Sequence, residues 1–196
     1  MAPLLHAQTI TKRFGGLVAV NAVDLVVNSG EICAVIGPNG AGKTTFFNVV
    51  SGVYTPEGGK LLFDGQDITG KGPEEIAPLG ISRTFQNIRL YKSLSALENV
   101  MVGMHIHLKA NLWSTVMRTK AQRLEEREAA REAVRLLDYI GLKKFANEAA
   151  GNLPYGAQRR LEIARALATK PKLLLLDEPK AGMNPKETDQ MMEDIR

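Results

Sequence analysis

Cysteine is nearly missing from this chain: Cys33 is the only one in 196 residues. A single thiol excludes an internal disulfide framework, and its apolar neighbours predict a buried, inert side chain. Long apolar runs are missing too. None approaches the roughly 18 residues that crossing a bilayer requires. The N-terminal stretch lacks the long apolar centre of a signal peptide, so a cytosolic protein, or one docked on a membrane by another subunit, is expected. Aromatic residues make up only 6% of the chain and do not interleave with basic ones, which argues against a stacking platform for single-stranded nucleic acid. What is present is ordinary for a folded protein. With 44% apolar and 23% charged residues, wholesale disorder is excluded, and the length suits one domain carrying a subdomain. The net charge of +4 is a mild excess that favours polyanions in general, nucleotide and anionic lipid included.

Along the chain, residues 1–36 read as strands. Leu17 to Val27 is rich in valine, Asn28-Ser29-Gly30 signals a turn, and Glu31 to Ile36 reads as a short buried strand. A glycine-rich loop follows, then a helix over Lys43 to Val50. Thr55 to Gly59 is a turn. Lys60 to Asp64 and Gln66 to Thr69 read as short strands around the hairpin signal Asp64-Gly65. Beyond residue 93 the pattern turns helical. Leu94, Leu97 and Met101 recur at helical spacing. A charged amphipathic helix is expected from Arg118 to Ile140, with Leu124, Val134, Leu137 and Ile140 on its apolar side. Glu128 with Arg131, and Glu132 with Arg135, are spaced for i,i+3 pairing. Gly141 is a helix stop. Residues 93–152 thus form a mostly helical insert. A strong helix former spans Ala157 to Thr169, and Leu173 to Leu176 predicts a buried strand ending in Asp177-Glu178.

Two motifs carry chemistry. Gly37-Pro38-Asn39-Gly40-Ala41-Gly42-Lys43-Thr44 fits G-x-x-x-x-G-K-[ST] between a predicted strand and a predicted helix, the context that motif needs. Its glycines let successive N–H groups converge on phosphate oxygens, and the following helix aims its positive end at the same anion. Lys43 can reach the β- and γ-phosphates, and the Thr44 hydroxyl can ligate magnesium. The second motif is the leucine run that delivers Asp177 and Glu178 at a strand's carboxyl end. There Asp177 can serve magnesium, and Glu178 can polarise an attacking water.

With these motifs the sequence resembles the nucleotide-binding subunit of an ATP-binding cassette (ABC) transporter, over essentially its whole length. Ile81 to Gln86 resembles the family's Q-loop, which implies that Gln86 senses magnesium and the attacking water. Leu153 to Gln158 and the helix after it resemble the family signature. Phe14 matches the aromatic that stacks on adenine, and Ala181 to Asn184 falls where the D-loop belongs. The implied fold is α/β: a P-loop NTPase core with an N-terminal antiparallel β subdomain and a helical insert, incomplete at the C-terminus. The implied site binds ATP and Mg2+ through Phe14, the loop residues 37–44 and Thr45, with Tyr155 and Gly156 serving the nucleotide of a facing cassette. The implied metal contacts are Thr44, Gln86 and Asp177; the implied catalytic pair is Glu178 with Gln86. The implied partners are a second ABC ATPase subunit, identical or not, transmembrane permease subunits and, indirectly, a solute-binding protein. No nucleic acid is expected. The implied location is peripheral, on the cytoplasmic face of the plasma membrane. The wording of RTFQNIRLY, LPYG and AGMNPKET resembles the ATPases of branched-chain amino acid importers, with the urea importer ATPases closely similar.

The sequence departs from the family pattern at several points. Pro154 stands where a serine is usual, Tyr155 and Ala157 replace a glycine and a glutamine, and Asn184 replaces the commoner aspartate. Lys180 places a positive charge near the acidic pair. The family's switch histidine is not matched: His6, His105 and His107 all precede the signature, so a fragment of a longer subunit is expected. His105 and His107 read as a polar helix face, with no third metal ligand near in sequence. Two rival readings remain. A soluble ABC ATPase acting on DNA or ribosomes would carry a long coiled-coil insert or two cassettes, and neither is seen. A nucleotide-binding module that closes on ATP without turnover would fit the missing histidine. A GTPase is disfavoured by the lack of an N-K-x-D motif.

Overall fold

Leu5, Ala7 and Ile10 turn the first segment into a strand with one buried face. All three are at most 1% exposed. Their spacing breaks strict alternation because a bulge lies between Ala7 and Ile10; the Thr9 N–H that it displaces donates to the Asp24 carboxylate at 2.8 Å. In the computed structural model, which describes residues 3–105 and 120–178, this strand is β1 (Leu5–Phe14). It pairs antiparallel with β2 (Leu17–Val27) and β3 (Gly58–Phe63). Asp64 and Gly65 both have positive φ, at 49° and 77°. That is the geometry of the tight hairpin turn their sequence predicts, and it returns the chain into β4 (Gln66–Asp67). The sheet order is β2-β1-β3-β4. Helix α1 (Lys43–Val50) lies against β1 and β2 and buries Phe46, Val49 and Val50. The short helix α2 (Pro73–Ile76), not expected from the sequence pattern, starts with proline in its first turn and two acids, Glu74 and Glu75, behind it.

The chain divides into two compact units between Ile81 and Ser82. The second contains a two-stranded sheet of β5 (Ile81–Arg83), whose last two residues open this unit, and β6 (Leu173–Leu175). Three helices make its core: α3 (Ala96–Met104), α4 (Lys120–Tyr139) and α5 (Tyr155–Leu167). Ser95 and Glu98 cap α3 reciprocally: the Glu98 N–H donates to Ser95 Oγ at 3.2 Å and the Ser95 N–H to Glu98 Oε2 at 2.7 Å. This satisfies two donors a helix start leaves orphaned. Asn99, fully buried, accepts from the Tyr91 N–H and donates to the Tyr91 carbonyl, each at 3.0 Å, which fixes the loop ahead of α3. One apolar cluster runs from Ala96 and Val100 through Ala133, Leu137 and Ile140 to Leu161 and Ala164. The helices of the 93–152 segment therefore share their core with α5, which follows it.

Leu137 is 0% exposed at the centre of this cluster. Truncating it removes apolar contacts and leaves a cavity. Leu137→Ala is expected to cost about 2–5 kcal/mol of stability, read as an earlier urea midpoint with an unchanged slope.

Several expectations are corrected. Glu31 to Ile36 is not a buried strand. Among the described residues it pairs with no strand, and Ile32 and Ile36 are 74% and 92% exposed. A run of β-branched residues becomes a strand only where neighbouring edges supply its hydrogen bonds, and the described strands supply none here. Cys33 is accordingly exposed, not buried. Leu124 is exposed: at about 100° per residue it falls opposite the stripe of Ala129, Ala133 and Leu137 that α4 buries. Of the predicted ion pairs on α4, Glu132–Arg135 closes at 3.3 Å on the surface. The signature helix begins two residues earlier than expected, at Tyr155.

Candidate nucleotide site

In the first unit the phosphate loop is built around a close backbone approach. Gly42 has φ 84° and is the N-cap of α1. A Cβ there would lie 2.1 Å from the Ala19 carbonyl oxygen of β2, so no other residue fits without moving the strand. The loop turns through Gly40, also left-handed at φ 83°, and the Ala41 N–H donates to the Pro38 carbonyl at 3.2 Å. Helix α1 starts with no side-chain cap and no acid in its first turn. The N–H groups of Lys43, Thr44 and Thr45 lie in the turn that has no intrahelical acceptor, and the helix dipole is uncompensated there. Lys43 folds back so that Nζ donates to the Gly37 and Pro38 carbonyls, 2.8 Å each. An ammonium held over a turn of backbone amides suits a polyphosphate.

Phe14, at the end of β1, is 43% exposed. Tyr54 packs edge-on against it, 5.2 Å between centroids at 77°, and Lys12 Nζ lies 5.3 Å from its ring centre. Lys12 also donates to the Thr55 carbonyl and pairs with Glu57. The hydrogen bond from Lys12, then that from the Arg13 N–H, holds the Glu57 carboxyl below the usual range. The aromatic is thus braced by Tyr54 and Lys12 and keeps exposed ring surface of the kind a planar base can stack on.

In the second unit, β6 ends at the acidic pair. Asp177 is 3% exposed, and Arg83 Nη2 donates to its Oδ2 at 3.0 Å. Glu178 is exposed, in the left-handed region at φ 47°. Gln86 Nε2 donates to Glu178 Oε2 at 3.1 Å. Two residues 92 positions apart, each singled out separately in the sequence, therefore meet. With the amide nitrogen turned to Glu178, the amide oxygen is the end that can accept a cation. Tyr155 and Gly156 are the first two residues of α5: Tyr155 is exposed and Gly156 is buried. Lys180, Ala181 to Asn184 and His107 lie outside the described residues.

The sequence reading missed Arg159, Glu162 and Arg165. They stand at i, i+3 and i+6 on α5, so they form one row along the helix. Arg159 is 1% exposed. Its Nη2 donates to the carbonyls of Asp177 at 2.9 Å and Glu178 at 3.1 Å. Its Nη1 donates to the Phe85 carbonyl and to Glu162 Oε2, the latter at 2.8 Å. Glu162 Oε1 accepts from the N–H groups of Phe85 at 3.5 Å and Arg89 at 3.3 Å. Arg165, whose pKa burial pushes down, donates to the Arg89 carbonyl. The only sequence signal was the charge row itself, R-x-x-E-x-x-R.

In the second unit the Asp177 carboxylate and the free oxygen of the Gln86 amide are donors of the hard-oxygen type that Mg2+ takes. No cluster of three His, Cys, Asp or Glu side chains offers a rival metal site among the described residues.

Comparison with known proteins bears on this site. The ABC transporter family model matches residues 20–181. The branched-chain amino acid transport ATP-binding protein BraF of Pseudomonas aeruginosa is 50% identical over 189 residues, which is 96% of this chain and 74% of that protein. LivG of Escherichia coli K12, of the same description, is 48% identical over 191 residues, 97% of this chain and 75% of its own length. Among solved structures, the ADP conformation of MJ1267, an ATP-binding cassette of an ABC transporter, superposes with a TM-score of 0.83 at 32% identity. It is matched over 100% of this chain and 76% of that one. The cassette MJ0796 in a dimeric post-hydrolysis state bound to ADP and Pi superposes with a TM-score of 0.81 at 26% identity, over 97% and 81% of the two chains. With its P-loop opening α1 and its acidic pair closing β6, this chain belongs to the ABC transporter family, as a P-loop ATPase cassette.

Proposed function

We propose that this chain binds and hydrolyses ATP to drive a branched-chain amino acid importer. The observation that carries the reading is the Gln86–Glu178 hydrogen bond. It pairs the carboxylate suited to polarising water with an amide that can orient it. The phosphates are held by the N–H groups of residues 37–45 and by Lys43, and the adenine rests on Phe14. Each unit has oxygen donors that would suit Mg2+, the Thr44 hydroxyl in the first and Asp177 with Gln86 in the second; the ion would supply charge neutralisation on the phosphate oxygens. Glu178 takes a proton from the attacking water, and Gln86 keeps that carboxylate turned to its work. Tyr155 and Gly156 serve the nucleotide of a second cassette, which requires a dimer. The 93–152 segment and the Gln86 loop are where permease subunits are moved, and a solute-binding protein acts through them. No described helix is long and apolar enough to cross a membrane, which fits a peripheral subunit on the cytoplasmic face. Nucleic acid has no part in this reading.

The names and extent of the matched relatives support the cargo. The test is phosphate release by the protein reconstituted with its permeases and binding protein. It is expected to need Mg2+, to stop with EDTA, and to rise when leucine, isoleucine or valine is supplied. Stimulation by urea alone would replace the cargo; phosphate release untouched by EDTA would overturn the metal assignment.

A further inference from the structure

The loop that carries Gln86 makes four backbone hydrogen bonds to one row of α5. Phe85 is held at both its N–H and its carbonyl, by Glu162 and Arg159. Arg89 is held at both groups too, by Glu162 and Arg165. The same Arg159 guanidinium holds the carbonyls of Asp177 and Glu178 through its other nitrogen. One buried, planar group therefore grips the peptide before Gln86 on one side and the peptide of Glu178 on the other. Glu178 also has φ 47°, a left-handed conformation that a non-glycine residue keeps only where its surroundings hold it.

We infer that Arg159, oriented by Glu162, is a positioning residue for ATP hydrolysis: it sets the spacing at which Gln86 meets Glu178. The inference rests on the reading that Glu178 polarises water. The fork geometry is the point. A guanidinium presents two nitrogens at a fixed separation and can serve acceptors on both sides at once, whereas an ammonium is a single nitrogen. Lysine would keep the charge balance with Glu162 but could not span Phe85 and the 177–178 carbonyls. The nucleotide's phosphate contacts, at residues 37–45, use none of these side chains. Loss of the fork should therefore slow turnover without loosening ATP.

The experiment measures kcat, ATP affinity and Tm for Arg159→Lys and for the double variant Arg159→Met with Glu162→Leu, beside Glu178→Gln, on the full chain. A lone Arg159→Met would leave Glu162 buried without its partner and could simply unfold. The double variant removes both charges and keeps the apolar volume. Arg159→Lys is expected to lower kcat about 10- to 100-fold, the scale of a small misplacement of reacting groups. Its ATP affinity should stay within about threefold of wild type, with a lowered Tm but a folded protein at the assay temperature. The double variant leaves the backbone groups of Phe85, Arg89 and residues 177–178 without these partners, so its Tm should fall below wild type, but it avoids a buried lone charge and should fold with the kcat defect kept. If either variant folds and turns over at the wild-type rate, Arg159 is structural only and the inference fails. A Glu178→Gln protein with wild-type turnover would instead remove the reading on which it rests.

Discussion

Glu178→Gln is expected to lower the rate of ATP hydrolysis by about 100-fold or more, the range for loss of a general base. ATP affinity should be little changed. The substitution is informative because of what it keeps. Gln86 donates its amide N–H to Glu178 Oε2, and a glutamine at 178 still offers an oxygen there. Arg159 holds the backbone carbonyl of residue 178, not its side chain, so the backbone stays where it is. What disappears is the capacity to take a proton. Single-turnover phosphate release with Mg2+, beside equilibrium binding of a fluorescent ATP analogue, separates the two quantities. A protein that still binds but no longer turns over supports the role of Glu178. Wild-type turnover would pass the role to another group.

The second large effect is on binding. Lys43→Ala is expected to weaken ATP affinity by about 10- to 100-fold, because hydrogen bonds to a charged group contribute about 1.5–3 kcal/mol. Lys43 Nζ rests on two carbonyls of its own loop, so the ammonium is poised by the backbone that would surround the phosphates. Removing it leaves those carbonyls facing an anion with no cation between them. The helix N-terminus and the loop amides remain, which is why a residual affinity is expected. Isothermal titration with ATP and Mg2+ gives the number directly. Equal affinity in the two proteins would show that residues 37–44 are a glycine-rich turn and nothing more.

How much of this was legible in the sequence depends on whether local chemistry or a distant neighbour decides each feature. Asp64-Gly65 specifies its own turn, and Lys43 to Val50 carries its own helix signal after a glycine loop, so both came out as read. Glu31 to Ile36 has an equally plain apolar pattern, but a strand is a property of two segments, and pattern alone cannot supply the second. Leu124 failed for a smaller reason: it is apolar, yet it lies off the stripe that the neighbouring helices cover. The P-loop and the acidic pair were visible because phosphate chemistry fixes residue type and spacing together. The row on α5, with Arg159 and Glu162 buried and Arg165 half-buried, was not. Arg159, Glu162 and Arg165 look like any solvated helix face, since nothing in a charge row says which side of the helix it occupies. Only the positions of Phe85, Arg89 and the end of β6 show that this face points inward.

The close approach at Gly42 also governs motion. The carbonyl of Ala19 sits where a side chain at residue 42 would begin, and Ala19 belongs to a strand bonded to β1 along its length. Loops that cross open surface open and close by themselves, at little cost, as the least protected parts of a fold. This one is seated against a sheet at its last residue, Gly42. The start of α1 is thereby tied to β2 at Gly42, so the amides that follow it keep their place only as long as that strand does.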